Sequence, residues 1–317
     1  SYDNLSLKLG DLQSSFSQFK QSRNINDFNV LKNRWKSSYI AWQYVEMYNI
    51  GKADDIYYYN KMNTFPVNTT IVNNNIQNQM YDFSANNFSN FTSQGFPTID
   101  YLLYGLDVDS SLIVGFYQNN DNYIFYLEHI IDELIINTNI VQNSWDTDRN
   151  LFINSNRNTV TSSLNLFIND FIFYYEKGFR ANKIGIPSGV YSNTILPLNV
   201  EGYYVRNLSK ILSLHALEAI TNVFKGHSFI SSKNINSISS YINFVDGQIL
   251  SNQISNKLDN AYLAINVLDD NFVYQIQNNP FSMLSTFDIV QEAVPLLKVE
   301  MLNSLNINVD YVDADGD

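Results

Sequence analysis

Apolar side chains recur every three or four residues through most of the chain. Leu5, Leu9, Leu12, Phe16 and Phe19 form one stripe; Phe28, Leu31, Trp35, Tyr39, Trp42 and Val45 form a second within residues 27–48. Residues three and four apart share a helix face, so each stripe predicts an amphipathic helix with one buried side. A third runs from about Asn122 to Asn143 through Tyr123, Tyr126, Ile130, Leu134 and Val141. Further helices are expected near 157–177, 202–225, 246–270 and 282–304. Clusters of Asn, Ser, Thr, Gly and Pro separate them, as connections require. Alternation with period two is nowhere sustained, so no sheet is expected. The fold class is all-α.

Seven or more long helices in 317 residues exceed what one core usually holds. The pattern therefore predicts two helical-bundle domains packed side by side. The polar run 145–150, "WDTDRN", reads as the turn that separates domain 1–148 from domain 149–317. One connection is unusually long. Residues 176–204 hold two prolines and four glycines with almost no periodicity, and loops beyond about 12–15 residues are usually functional or disordered. Ile184, Ile186, Val190, Ile195 and Leu196 make this one a packed segment, with Arg180 and Lys183 at its entrance.

Composition narrows the function. A formal charge of −12 with no basic block would repel a phosphate backbone, which excludes nucleic acid as a partner. The absence of Cys removes disulfides, thiolate metal sites and cysteine nucleophiles, and agrees with an exported protein. No apolar run reaches the roughly 18 residues a membrane span needs. A start at Ser1, without Met or a leader pattern, reads as a trimmed chain. The abundant Asn reads as the codon bias of an AT-rich genome.

Candidate chemistry is sparse. His215 and Glu218 share a helix face and are the weak candidates for metal ligands, but two ligands do not make a site. His129, with Asp132 and Glu133 following it, reads as ion pairing on a solvated face. Neither His-Glu-x-x-His nor Glu-x-x-His pairs nor Gly-x-Ser-x-Gly occurs. Acids on apolar faces say more: Glu46 follows Trp42 by four, Asp170 and Glu176 flank "FIFYY", and Glu300 follows "PLLKV". Asp100 lies in "QGFPTIDYLLYG", residues 94–105, where Gly95 breaks the chain and Pro97 opens a short helix. A buried carboxylate needs a partner. Arg180, Lys183 and Lys298 are the obvious counter-ions, either in structural salt bridges or in a polar site between the bundles. The tail "NVDYVDADGD" lacks the distal Glu of a calcium loop and reads as a solvated acidic tail.

Four blocks carry a resemblance across essentially the whole chain: "RWKSSYIAWQYVEMYNIG" (34–51), "QGFPTIDYLLYG" (94–105), "NDFIFYYEKGFRANKIGIPSG" (169–189) and "PLLKVEMLNSLNINVDYVDADGD" (295–317). In this order they resemble the imelysin-like family, in particular its members from marine and gut Bacteroidetes. The resemblance implies an all-helical protein of two bundles with a cleft between them, exported to the periplasm or carried as a lipoprotein on the outer-membrane surface. It also implies a link to bacterial iron uptake, with iron, haem or a peptide as ligand and envelope iron-uptake proteins as partners. Founding members were described as insulin-cleaving metallopeptidases, which makes iron or zinc the candidate cofactor, though no residue here requires one. The family's hallmark, Gly-x-His-x-x-Glu at the cleft, falls on Gly95, Pro97 and Asp100. Histidine has become proline, and glutamate the shorter aspartate. The resemblance thus places the cleft at Gly95, Pro97, Asp100, Trp42, Glu46, Arg180 and Lys183, and favours binding over peptidase activity. A metallopeptidase with substitute ligands, such as His215 with Glu218, is the alternative.

Overall fold

A computed structural model describes residues 1–83, 88–155, 157, 159–228 and 236–309, and every regular element among them is helical. The acidic tail from 310 onward lies outside the described residues. Tyr2–Ser22 ends where Arg23 adopts a left-handed backbone, its N–H donating to the Phe19 carbonyl at 2.7 Å. Asn24 then caps Ile25–Trp42, its side chain accepting from the Asp27 N–H at 2.9 Å. A stop and a start back to back return the chain on itself. The leucine stripe of the first helix thereby meets the aromatic stripe of the second. Phe19 and Phe28 lie 5.1 Å apart, and Tyr117 packs against both.

Four expected boundaries shift, each for a physical reason. The second helix ends at Trp42, not 48, because Gln43, Tyr44 and Val45 donate three residues back in the tighter turn with which helices often finish. The run 145–150 is not a turn. It lies within the helix Asp121–Asn154, since polar residues without Gly or Pro weaken a helix but do not break it. Near 246–270 two helices form, Ile238–Asp246 and Gln248–Asn266, with Gly247 between them. The last expected helix divides into Pro280–Gln291, Leu296–Met301 and Leu302–Leu305.

The largest departure is in the supposed loop 176–204. Ser163–Phe173 is α-helical and continues into Tyr174–Gly185, a π-helix whose bonds span five residues. The same reach persists beyond it, from the Ile186 N–H to the Ala181 carbonyl at 2.8 Å and from Val190 to Gly185 at 3.0 Å. Gly178 permits this path: a Cβ there would stand 2.5 Å from the Tyr174 ring.

By compactness the chain forms two units. The first comprises Ser1–Trp145 and Leu198–Ser209; the second comprises Asp146–Pro197 and the residues from Lys210 onward. Leu198–Ser209 therefore groups with the N-terminal part.

Candidate functional site

The helix Gly95–Asp100 sits in the first unit beneath the aromatic stripe. Phe96 stacks on Tyr39 with centroids 4.8 Å apart and lies 6.2 Å from Trp42. Gly95 cannot be replaced without strain. Its φ is +77°, and an added Cβ would stand 2.4 Å from the Met62 carbonyl oxygen. Pro97 occupies the first turn, where a missing N–H costs nothing.

Asp100, at the end of this helix, is 1% exposed. One carboxylate oxygen accepts from the Tyr204 N–H and the other from the Val205 N–H, both at 2.9 Å. Burial pushes its pKa up to about 7, while the two N–H groups and the charges of Arg206 and Lys36 pull the other way. The expected partner from the entrance of 176–204 thus gives way to peptide dipoles. A cavity of about 20 Å³, room for one water, adjoins Asp100 and Pro97.

Trp42 and Glu46 belong to a second buried group in the same unit. Tyr39 Oη donates to Asn63 Oδ1 at 2.6 Å, and Asn63 Nδ2 donates to Glu46 at 2.5 Å and to Glu201 at 2.8 Å. Gln43 also donates to Glu201, at 3.1 Å. Two carboxylates therefore converge on one amide. Burial, then the charges of Glu201, Glu46 and Asp100, hold the Tyr39 hydroxyl protonated far above its usual range. Trp42 packs edge-on against Tyr58, and its buried indole N–H finds no acceptor among the described residues. Sequence reasoning missed Tyr39, Gln43, Asn63 and Glu201 as polar partners. The one available signal was Glu201 standing amid Val200 and Gly202 in an apolar connection.

Arg180 and Lys183 lie in the second unit, buried on the π-helix Tyr174–Gly185. Glu176 Oε1 is 3.9 Å from the Arg180 guanidinium and 3.6 Å from Lys298 Nζ. Arg180 also donates to Gln291 Oε1 and lies over the Phe287 ring. Glu300, expected on an apolar face, is exposed. His129 does not pair with Asp132 or Glu133; its Nδ1 meets Tyr81 Oη at 2.9 Å and the Phe125 carbonyl at 2.8 Å. His215 Nδ1 lies 3.2 Å from Glu218 Oε2 on a partly exposed helix face.

The imelysin family model (peptidase M75) matches residues 1–292. The chain belongs to the imelysin family. Its fold is similar to the crystal structure of an imelysin-like protein from Psychrobacter arcticum 273-4, with TM-score 0.72, 15% identity, and coverage of 98% of this chain and 92% of that one. It is also similar to the crystal structure of a protein described as an iron-regulated protein A precursor from Parabacteroides distasonis ATCC 8503. There the TM-score is 0.76 at 14% identity, covering 95% of this chain and 89% of that one. Comparison with curated proteins gave no match.

The hallmark positions of this imelysin do not fit a catalytic metal. Pro97 offers no ligand atom, and both Asp100 oxygens are engaged by peptide N–H groups. Among the described residues no group of three or more His, Asp or Glu is arranged to hold a metal ion.

Proposed function

We propose that this chain is an exported, imelysin-like protein of bacterial iron acquisition that binds a ligand or partner and does not cleave peptides. The engagement of Asp100 by Tyr204 and Val205, beside a proline in place of the histidine, carries the reading. A zinc peptidase needs about three protein ligands so that its bound water ionises near neutral pH. The iron link and export draw support from the similarity to the iron-regulated protein A precursor. Iron, haem or a peptide is the ligand class in this reading, in the periplasm or at the outer-membrane surface, with a lipid anchor on the precursor and envelope iron-uptake proteins as partners. The candidate binding residues in this reading are Gly95, Pro97, Asp100, Trp42 and Glu46 in the first unit and, separately, Arg180 and Lys183 in the second.

Incubation with unfolded insulin chain tests the proposal. No cleavage is expected, with or without added zinc; cleavage abolished by a chelator and restored by zinc would overturn it. The second reading, a peptidase with substitute ligands, has one observation in its favour, the His215–Glu218 pair at 3.2 Å. It requires that His215→Ala abolish such cleavage.

A further inference from the structure

The second unit carries a groove lined by none of the residues discussed above as candidates. Its volume is about 620 Å³, within the ~300–1,000 Å³ typical of small-molecule sites. Ile153, Leu164, Phe167, Tyr241, Val245 and Ile307 supply apolar lining. Hydrogen bonds fix these walls in place. Ser163 Oγ donates to the Phe152 carbonyl at 2.5 Å, and Asn165 Oδ1 accepts from the Asn308 N–H at 3.2 Å. Asn169 Nδ2 donates to the Asn308 carbonyl at 2.9 Å. A groove pinned in this way costs little to organise on binding.

Two polar groups in the lining lack partners among the described residues. Arg157 has no carboxylate beside it among the described residues, in a protein of 31 acidic and 19 basic residues. The Ser304 hydroxyl is buried without a hydrogen-bond partner among the described residues. Ser155, Ser162, Ser163, Asn165 and Asn306 make the rest of the lining mixed, and a cation and a buried donor beside its apolar residues complement an anionic head on an apolar body. A guanidinium suits a carboxylate in particular, since its N–H groups match the two oxygens.

We propose that this groove binds a small monocarboxylate with an apolar body, of the medium-chain fatty-acid type. Arg157 meets the carboxylate, Ser304 adds a donor, and the apolar walls cover the chain. The site is independent of the iron-acquisition reading and stands or falls separately.

Calorimetric titration of the full chain with decanoate, below its micelle-forming concentration, tests it. Decyltrimethylammonium, with the same tail and opposite charge, is the control. Saturable binding of one decanoate per chain is expected, with the ammonium at least about tenfold weaker although the protein's net charge favours it. Arg157→Gln should weaken decanoate about tenfold. Leu164→Trp, which fills the groove, should abolish binding while circular dichroism confirms an unchanged fold. Absent saturation, equal binding of the two amphiphiles, or indifference to Arg157→Gln each overturns the proposal. So does decanoate binding that emerges only when the chain is ended after Val309, which would make the tail the occupant. A concentration-dependent dimer broken by Leu164→Trp would assign the groove to a second copy and overturn it too.

Discussion

Asp100 in the first unit and Glu176 in the second are equally buried, each 1% exposed, and are held in different ways. Asp100 accepts from two consecutive peptide N–H groups; Glu176 faces the side-chain charges of Arg180 and Lys298. Peptide dipoles do not fully offset the desolvation of a carboxylate, and the pKa of Asp100 accordingly rises to about 7. What the dipoles achieve is positional: two hydrogen bonds fix the turn 203–205 against the end of the Gly95–Asp100 helix. The ion cluster joins elements instead. Glu176 and Arg180 on the π-helix reach Lys298 on Leu296–Met301 and Gln291 on Pro280–Gln291. One buried acid organises backbone, the other organises helices.

The contrast predicts three effects of decreasing size. Glu176→Ala takes the acid from two largely buried cations, and urea unfolding should show a loss of about 3–5 kcal/mol. A loss no greater than that of the Asp100 variant below would invert the comparison. Next comes pH. Between about pH 4 and 7 folded Asp100 keeps a proton that the unfolded chain has shed, so its contribution is full below about pH 4 and is lost as pH rises through 7. Stability should fall across that window by up to ~1.4 kcal/mol per pH unit more in the parent protein than in Asp100→Asn. Equal slopes would mean that the carboxylate is not protonated in the fold. The smallest effect is Asp100→Asn at pH 4, where the folded carboxyl is protonated and, like the amide, keeps one carbonyl oxygen as acceptor. The net change there should lie within about 1 kcal/mol. Hydrogen exchange at the Tyr204 or Val205 amide should nonetheless accelerate, and unchanged exchange at both would remove the clamp.

The same contrast separates what was legible in the sequence from what was not. Straight α-helices announce themselves, and the stripes from Leu5 to Phe19 and from Phe28 to Trp42 are buried as read. The π-helix does not, because its buried Tyr175, Phe179 and Ile184 are spaced by four and five and fit no 3.6-residue pattern. Charge balance pointed to Arg180 and Lys298 as counter-ions for buried acids, and both stand beside Glu176. Nothing could point from Asp100 to positions 204 and 205, since a peptide N–H is common to every residue but proline. Asn63, the hub between Glu46 and Glu201, was hidden among the chain's many asparagines. The run 145–150 misled only as a turn, since neither Gly nor Pro breaks the helix there, while the two compact units do divide between Trp145 and Asp146.

The return of Leu198–Ser209 to the first unit matters for how the protein is made. Domains generally fold as units while the chain emerges from the ribosome, N-terminal part first. Here the first 145 residues leave the ribosome with Asp100 in place, but the amides of Tyr204 and Val205 that it holds are not yet synthesised. Glu201, the second carboxylate on Asn63, is equally late. The N-terminal unit must therefore wait, unfinished, while the first part of its neighbour is translated.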